Sequence, residues 1–144
     1  ETILKKKKRY YVVGFFKTKT YDNVDIYLKT DDKNYEIRTL SGQLNLQGKR
    51  CESKKNSIVS EIQNIFPNLN PVNYENSSHS FDKTGDSKLN QSAFLLKNHN
   101  DKDHIRIECT FWSKKIKKDY GYIDHLNVAA FSTEILQWFL SGYN

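Results

Sequence analysis

Short segments in which hydrophobic and polar residues alternate recur along the chain, and this alternation is the pattern of half-buried β-strands. The clearest segment carries Ile105, Ile107, Cys109 and Phe111, with polar residues between them. β-Branched and aromatic residues support the same prediction in other segments. The predicted strands are Tyr10–Lys17, Val24–Leu28, Tyr35–Thr39, Gln43–Gln47, Ala93–Lys97, Ile105–Phe111 and Leu126–Ala130.

Two segments repeat their apolar residues at the spacing of an α-helix. The first helix is predicted to be capped by Ser53 or Ser57 and to end at Pro67. The second is predicted to begin at Ser132, with Glu134 in its first turn, where the helix dipole favours a negative charge. The apolar stripes are Ile58, Val59, Ile62, Ile65 and Phe66 in the first helix, and Ile135, Leu136, Phe139 and Leu140 in the second.

Two connecting segments are predicted to lack regular structure. Residues 68–90 show neither the alternation of a strand nor the spacing of a helix. They are rich in Asn, Ser, Asp and Pro, which predicts a long polar loop. A turn is predicted around Lys117–Gly121, so the strands Ile105–Phe111 and Leu126–Ala130 would form a hairpin.

The order of these elements predicts one α+β domain. Hairpins dominate and no β-α-β alternation occurs, which favours an antiparallel sheet. We therefore expect an antiparallel sheet built from hairpins, with two helices packed on one face. Residues 10–144 are assigned to this single domain, and residues 1–9 to a basic N-terminal arm.

The composition is polar, but it contains enough large apolar residues for a buried core. Of the 144 residues, 37% are hydrophobic and 13% are aromatic. No apolar run approaches the roughly 20 residues of a membrane-spanning helix, so no transmembrane segment is predicted. The net charge of +6 favours an anionic partner. The codon bias of an AT-rich genome explains that charge equally well without an anionic partner.

Cys51 and Cys109 are the two cysteines of the chain, and they fall in different predicted elements. Without neighbouring Cys or His ligands they do not make a zinc site. We expect a disulfide between them, and hence an exported protein of the periplasm or extracellular space. Two thiols in a cytoplasmic protein are the alternative. Because the chain begins with Glu1 and contains no Met, we expect a processed product or a fragment of a longer chain.

The histidines support one catalytic hypothesis. His104 and His125 are predicted to face each other across the last hairpin, with Glu108 beside them. A metal-independent ribonuclease needs a group that takes the 2′-hydroxyl proton, a group that protonates the leaving oxygen, and a cation near the phosphorus. Polar residues on exposed strand faces produce the same pattern without any catalytic role. The chain contains no GxSxG, HExxH or CxxC motif, and no metal or cofactor is predicted.

Basic clusters next to aromatic residues are the candidate binding sites. Such clusters bind single-stranded nucleic acid by phosphate pairing and base stacking, or an anionic membrane surface by charge. Solvated lysines that protect a sheet edge from aggregation are the alternative. The candidate binding residues are Lys5, Lys6, Lys7, Lys8, Arg9, Trp112, Lys114, Lys115, Lys117 and Lys118.

Together these features favour a non-catalytic binding domain of an exported protein. The expected partner is a protein with an acidic surface, or an anionic component of the cell envelope. An envelope-assembly component, or an immunity or inhibitor protein, has these properties. A small basic nuclease or a nucleic-acid-binding domain is the alternative.

Overall fold

The computed structural model describes residues 5–6, 10–30, 32–98 and 101–140. Within them the chain forms an eight-stranded sheet, antiparallel at every pairing, and three helices. The strands are β1 (Lys5–Lys6), β2 (Tyr10–Phe16), β3 (Asn23–Lys29), β4 (Ile37–Leu44), β5 (Val72–Ser78), β6 (Lys88–Asn98), β7 (Asp101–Phe111) and β8 (His125–Phe131). The helices are α1 (Gly48–Ile65), α2 (Lys114–Tyr120) and α3 (Thr133–Leu140). The prediction of a single domain with an antiparallel sheet is confirmed, and the three helices are compatible with the α+β class.

The sheet consists of two meanders that meet at one seam. The strand order is β1-β2-β3-β4-β8-β7-β6-β5, so each strand pairs with its neighbour in sequence except at the β4–β8 junction. α1 leads from the end of β4 to β5 at the far edge. At the seam Leu44 lies opposite Leu126, and Thr39 lies opposite Phe131.

One face of the sheet, called here the α1 face, is covered by α1. Phe94, Ile107, Cys109 and Leu126 are fully buried there, together with Cys51 of the helix. Cys51 and Cys109 form the predicted disulfide, with their Cα atoms 5.9 Å apart. A bridge between residues 58 positions apart stabilises the fold by about 4 kcal/mol in the chain-entropy model.

α3 packs with residues of the other side of the sheet, called here the opposite face. Its buried Ile135 and Trp138 contact Ala129 and Phe131 of β8, whereas Leu126 of the same strand belongs to the α1 cluster. Successive side chains of a strand point to opposite faces. The prediction that both helices pack on one face is therefore not confirmed.

The predicted loop over residues 68–90 is wrong, because it contains β5 and the first residues of β6. β5 is an edge strand whose side chains are almost all exposed, so it has no alternation to detect. Its register shifts between Tyr74 and Ser77, around Asn76 with φ of 54°. Backbone pairing with β6 holds this strand, and the sequence pattern gives no sign of it.

Other predicted boundaries also change. α1 begins at Gly48 after Gln47, so neither Ser53 nor Ser57 caps it, and Ile65 and Phe66 at its end are exposed. The short strand predicted over residues 43–47 is not separate, since Leu44 ends β4. Among the described residues, no helix is both long enough and apolar enough to cross a bilayer.

Candidate functional site

A cluster of exposed and half-buried aromatic rings lies at one end of the sheet, and we call it the aromatic end. The ring of Trp112 lies with its centroid 4.4 Å from His79 and 4.9 Å from Tyr122. Phe81 lies 5.3 Å from Tyr120 and 5.6 Å from Tyr122. Tyr120 is 58% exposed and Phe81 44%, so large apolar surfaces face solvent. The rings of the aromatic end are His79, Phe81, Trp112, Tyr120, Tyr122 and His125.

A buried carboxylate holds the loop that carries Phe81. Asp82 accepts hydrogen bonds from the backbone N–H and the hydroxyl of Ser87, at 3.0 and 2.6 Å. It also accepts from the backbone N–H and the hydroxyl of Thr84, at 3.0 and 2.7 Å. These hydrogen bonds, with that of the Ser87 hydroxyl foremost, hold the pKa of Asp82 well below its usual range. The loop between β5 and β6 is therefore a fixed structure that positions Phe81.

The segment after β7 is the short helix α2, where the sequence predicted only a turn. Ser113 caps it by accepting the Ile116 N–H, and Gly121 ends it at φ of 69°, a conformation that favours glycine. Asp124 accepts the Trp112 N–H at 2.8 Å and the Lys117 ammonium at 2.7 Å. These contacts fix α2 against Trp112, and so join the lysines to the aromatic end.

The lysines of α2 differ in how much charge they offer to a ligand. Lys115 pairs with Asp119, whose hydrogen bond raises the pKa of Lys115, and Lys117 pairs with Asp124. Lys114 and Lys118 are exposed and make no ion pair within the described part of the chain. These two are the cations available beside the rings.

The basic N-terminal cluster is described only in part. Lys5 and Lys6 form β1, which pairs with Val12 and Tyr11. Their side chains, and the whole of Lys7, Lys8 and Arg9, lie outside the described residues. The N-terminal arm therefore stays a prediction.

An open cleft of about 390 Å³ adjoins the rings on the opposite face. Trp112 and Tyr122 line it with aromatic surface, and His125 stands at its side. Its polar groups are carboxamides, which both donate and accept hydrogen bonds. No carboxylate and no lysine lines this cleft in the part of the chain described here. The lining carboxamides belong to Asn23, Gln43 and Asn45.

Charged residues lie next to the cleft and continue its row of residues across the sheet. Asn23 pairs with Gln43, Gln43 with Asn127, and Asn127 with Glu108, so Glu108 shares a row with the cleft carboxamides. His125 lies opposite Thr110, which makes it a diagonal neighbour of Glu108 on the same face. The Arg106 Nε lies 3.8 Å from a Glu108 carboxylate oxygen.

The structure does not bring His104 and His125 together. His104 lies opposite Phe131 and stacks on its ring at 5.4 Å, at the α3 end of the opposite face. Six strand positions separate His104 from Thr110, the partner of His125, and this corresponds to about 20 Å. The two histidines therefore do not face each other across the hairpin as predicted.

His79 is the functional candidate that the sequence did not indicate. It follows β5 in the segment predicted to be a loop, and it reaches the site through its contact with Trp112. Burial lowers the pKa of His79, and the charge of nearby Glu108 opposes that shift. Its Nδ1 accepts the Phe81 N–H at 3.1 Å, so the neutral ring carries its proton on Nε2.

Neither a metal site nor a relative defines the chemistry. In the described ranges, no three His, Cys, Asp or Glu side chains gather closely enough to hold a metal ion. Comparison with protein-family models, curated proteins and solved structures finds no match to this chain. The geometry of the aromatic end is therefore the feature that points to a function.

Proposed function

We propose that this chain is a binding domain of an exported protein, and that its aromatic end holds single-stranded nucleic acid. One continuous surface supports this proposal. On it, exposed rings adjoin a carboxamide-lined cleft and the two lysines Lys114 and Lys118. The disulfide between Cys51 and Cys109 supports export, because such bonds persist in oxidising compartments.

Each component of this surface matches one part of a nucleotide. Exposed aromatic rings stack on bases, and each stacked base contributes about 1–3 kcal/mol. Carboxamides hydrogen-bond to the edges of bases that are not paired. Lysine ammonium groups neutralise phosphates and release counterions. The ligand that uses all three features is a strand with unpaired bases.

A protein with an acidic surface, the partner favoured by the sequence, is the rival ligand. Aromatic residues also dominate protein–protein hot spots, and the same lysines attract carboxylates. The carboxamide lining of the cleft favours nucleic acid, because the centre of a protein interface is mostly apolar. An anionic component of the cell envelope would use the lysines and leave the rings unexplained.

Fluorescence anisotropy with labelled single-stranded RNA and DNA of the same mixed sequence tests this proposal. We expect the double variant Tyr120→Ala/Tyr122→Ala to bind at least about tenfold more weakly, since two stacking surfaces are lost. Tyr35→Ala is the matched control, because Tyr35 is 75% exposed and outside the aromatic end. It should leave the affinity unchanged.

The salt dependence provides a second readout. Two lysine–phosphate contacts predict that affinity falls about sevenfold between about 50 and 200 mM salt, and that Lys114→Gln/Lys118→Gln removes most of this dependence. Absence of binding, or an equal loss in Tyr35→Ala, would overturn the proposal. Binding of polyglutamate without binding of nucleic acid would identify an acidic protein as the ligand of this surface.

A further inference from the structure

Binding alone leaves three groups beside the cleft unexplained. Glu108 and Arg106 lie on β7 and His125 on β8, all on the opposite face. His125 lines the cleft, and Glu108 continues the row of its carboxamides. Glu108 is only 8% exposed. The Arg106 side chain beside it is 36% exposed, so the cost of desolvation at this position falls on the Glu108 carboxylate.

Arg106 is held between two partners without using all of its donors. Its guanidinium lies 5.3 Å from the centre of the Phe131 ring, and its Nε is 3.8 Å from Glu108. The Nε is buried and makes no hydrogen bond within the described residues. The side chain as a whole is 36% exposed, so an anionic oxygen would meet the terminal Nη groups and not the buried Nε.

His125 has one nitrogen fixed and one available. Its Nδ1 lies 2.9 Å from the Ile123 carbonyl oxygen, which can only accept, so the Nδ1 carries a proton. The Nε2 is then the nitrogen left to meet a ligand. His79 is less suited to this role, because burial and the Phe81 N–H both favour its neutral form.

We propose that these groups cleave the phosphodiester backbone of RNA held at the aromatic end, an inference that rests on the proposed function. Glu108 takes the proton of the 2′-hydroxyl, and the 2′-oxygen attacks the phosphorus. Arg106 stabilises the charge of the phosphorane. The bond between phosphorus and the 5′-oxygen breaks, and protonated His125 donates its Nε2 proton to that oxygen.

The products are a 2′,3′-cyclic phosphate and a strand with a 5′-hydroxyl. Glu108 gains one proton and His125 loses one, so exchange with water restores both groups. The step requires no metal and no redox partner. It requires the 2′-hydroxyl, so the same sequence in DNA is bound and stays intact.

The test incubates the whole protein with a single-stranded RNA and the matching DNA in EDTA, and follows cleavage on a gel. We expect wild-type protein to cleave RNA alone. Glu108→Gln and His125→Ala should each slow cleavage at least about 100-fold, the usual contribution of acid–base catalysis. Both variants should keep the wild-type circular dichroism spectrum and a cooperative unfolding transition, which excludes unfolding as the cause.

His104→Ala is the matched control, because His104 lies on the same face at the α3 end. It should cleave RNA at the wild-type rate. RNA that is bound and stays intact would overturn the cleavage inference and leave the proposed function standing. Cleavage that survives both Glu108→Gln and His125→Ala would also overturn it. Absence of binding to either strand would overturn both proposals.

Discussion

The two faces of the sheet differ in what their residues do. On the α1 face, Phe94, Ile107 and Leu126 are fully buried against a helix that a disulfide attaches to β7. On the opposite face, the end near Trp112 carries Glu108, His125 and carboxamides, with rings exposed to solvent. Stability thus comes from the α1 face and from the α3 end of the opposite face, whereas the groups capable of recognition gather at the aromatic end. Substitutions on the two faces should separate these roles.

The largest expected effect comes from removing the disulfide on the α1 face. Cys51→Ala/Cys109→Ala should lower the free energy of unfolding by about 4 kcal/mol, because the unfolded chain regains the entropy of an open loop. Urea denaturation measures this loss, and a reducing agent should produce nearly the same loss in the wild type. A change below about 1 kcal/mol would show that α1 is held by packing alone.

Cavity formation on the α1 face should have the next largest effect. Ile107 is fully buried between β7 and α1, so Ile107→Ala should cost about 3 kcal/mol of unfolding free energy. Denaturant titration gives this value. The affinity of the folded protein for nucleic acid should not change, because Ile107 points away from the aromatic end. Weakened binding without loss of stability would contradict the division between the faces.

A smaller and pH-dependent effect is expected from the loop that holds Phe81. Asp82→Asn removes a carboxylate whose pKa is held low in the folded state by hydrogen bonds. Its stabilising contribution is full above the ordinary Asp pKa of about 3.9, and is lost as the pH falls through the lower folded value. The melting temperatures of wild type and variant should therefore differ at neutral pH and converge in strong acid. A difference independent of pH would contradict this assignment.

The smallest effect on stability is expected at the aromatic end itself. Tyr120 is 58% exposed, so Tyr120→Ala should change the unfolding free energy by no more than about 0.5 kcal/mol. The same substitution should cost about 1 kcal/mol or more of binding energy through lost stacking. Paired denaturation and anisotropy measurements compare the two. A large loss of stability would place Tyr120 in the core and not in a binding surface.

The sequence predicted the elements whose side chains alternate or repeat. Ile105–Phe111 and Leu126–Ala130 lie within β7 and β8, and Ser132 precedes α3 as predicted. Cys51 and Cys109 were correctly expected to pair. In each case a local sequence pattern, or the presence of just two cysteines, was sufficient to predict the structural feature.

The candidate site was less predictable because tertiary contacts assemble it. His79 and Trp112 are distant in sequence, and β5 brings them together although it has no hydrophobic pattern. The helix α2 takes the place of the turn predicted around Lys117–Gly121, and the sequence analysis did not identify its caps, Ser113 and Gly121. His104 and His125 share a face, and only the register of β7 with β8 shows how far apart they lie.

The seam between the two meanders has a consequence for the order of folding. Strands within each meander are joined by short connections, apart from the one that carries α2, whereas Ser41 and Asn127 across the seam are 86 positions apart. Loop-closure entropy grows with the length of chain that must be ordered, so we expect the seam to close after the hairpins. The disulfide joins α1 to the second meander and does not cross the seam. Oxidation can therefore precede closure of the full sheet, and the β4–β8 pairing should determine the folding rate.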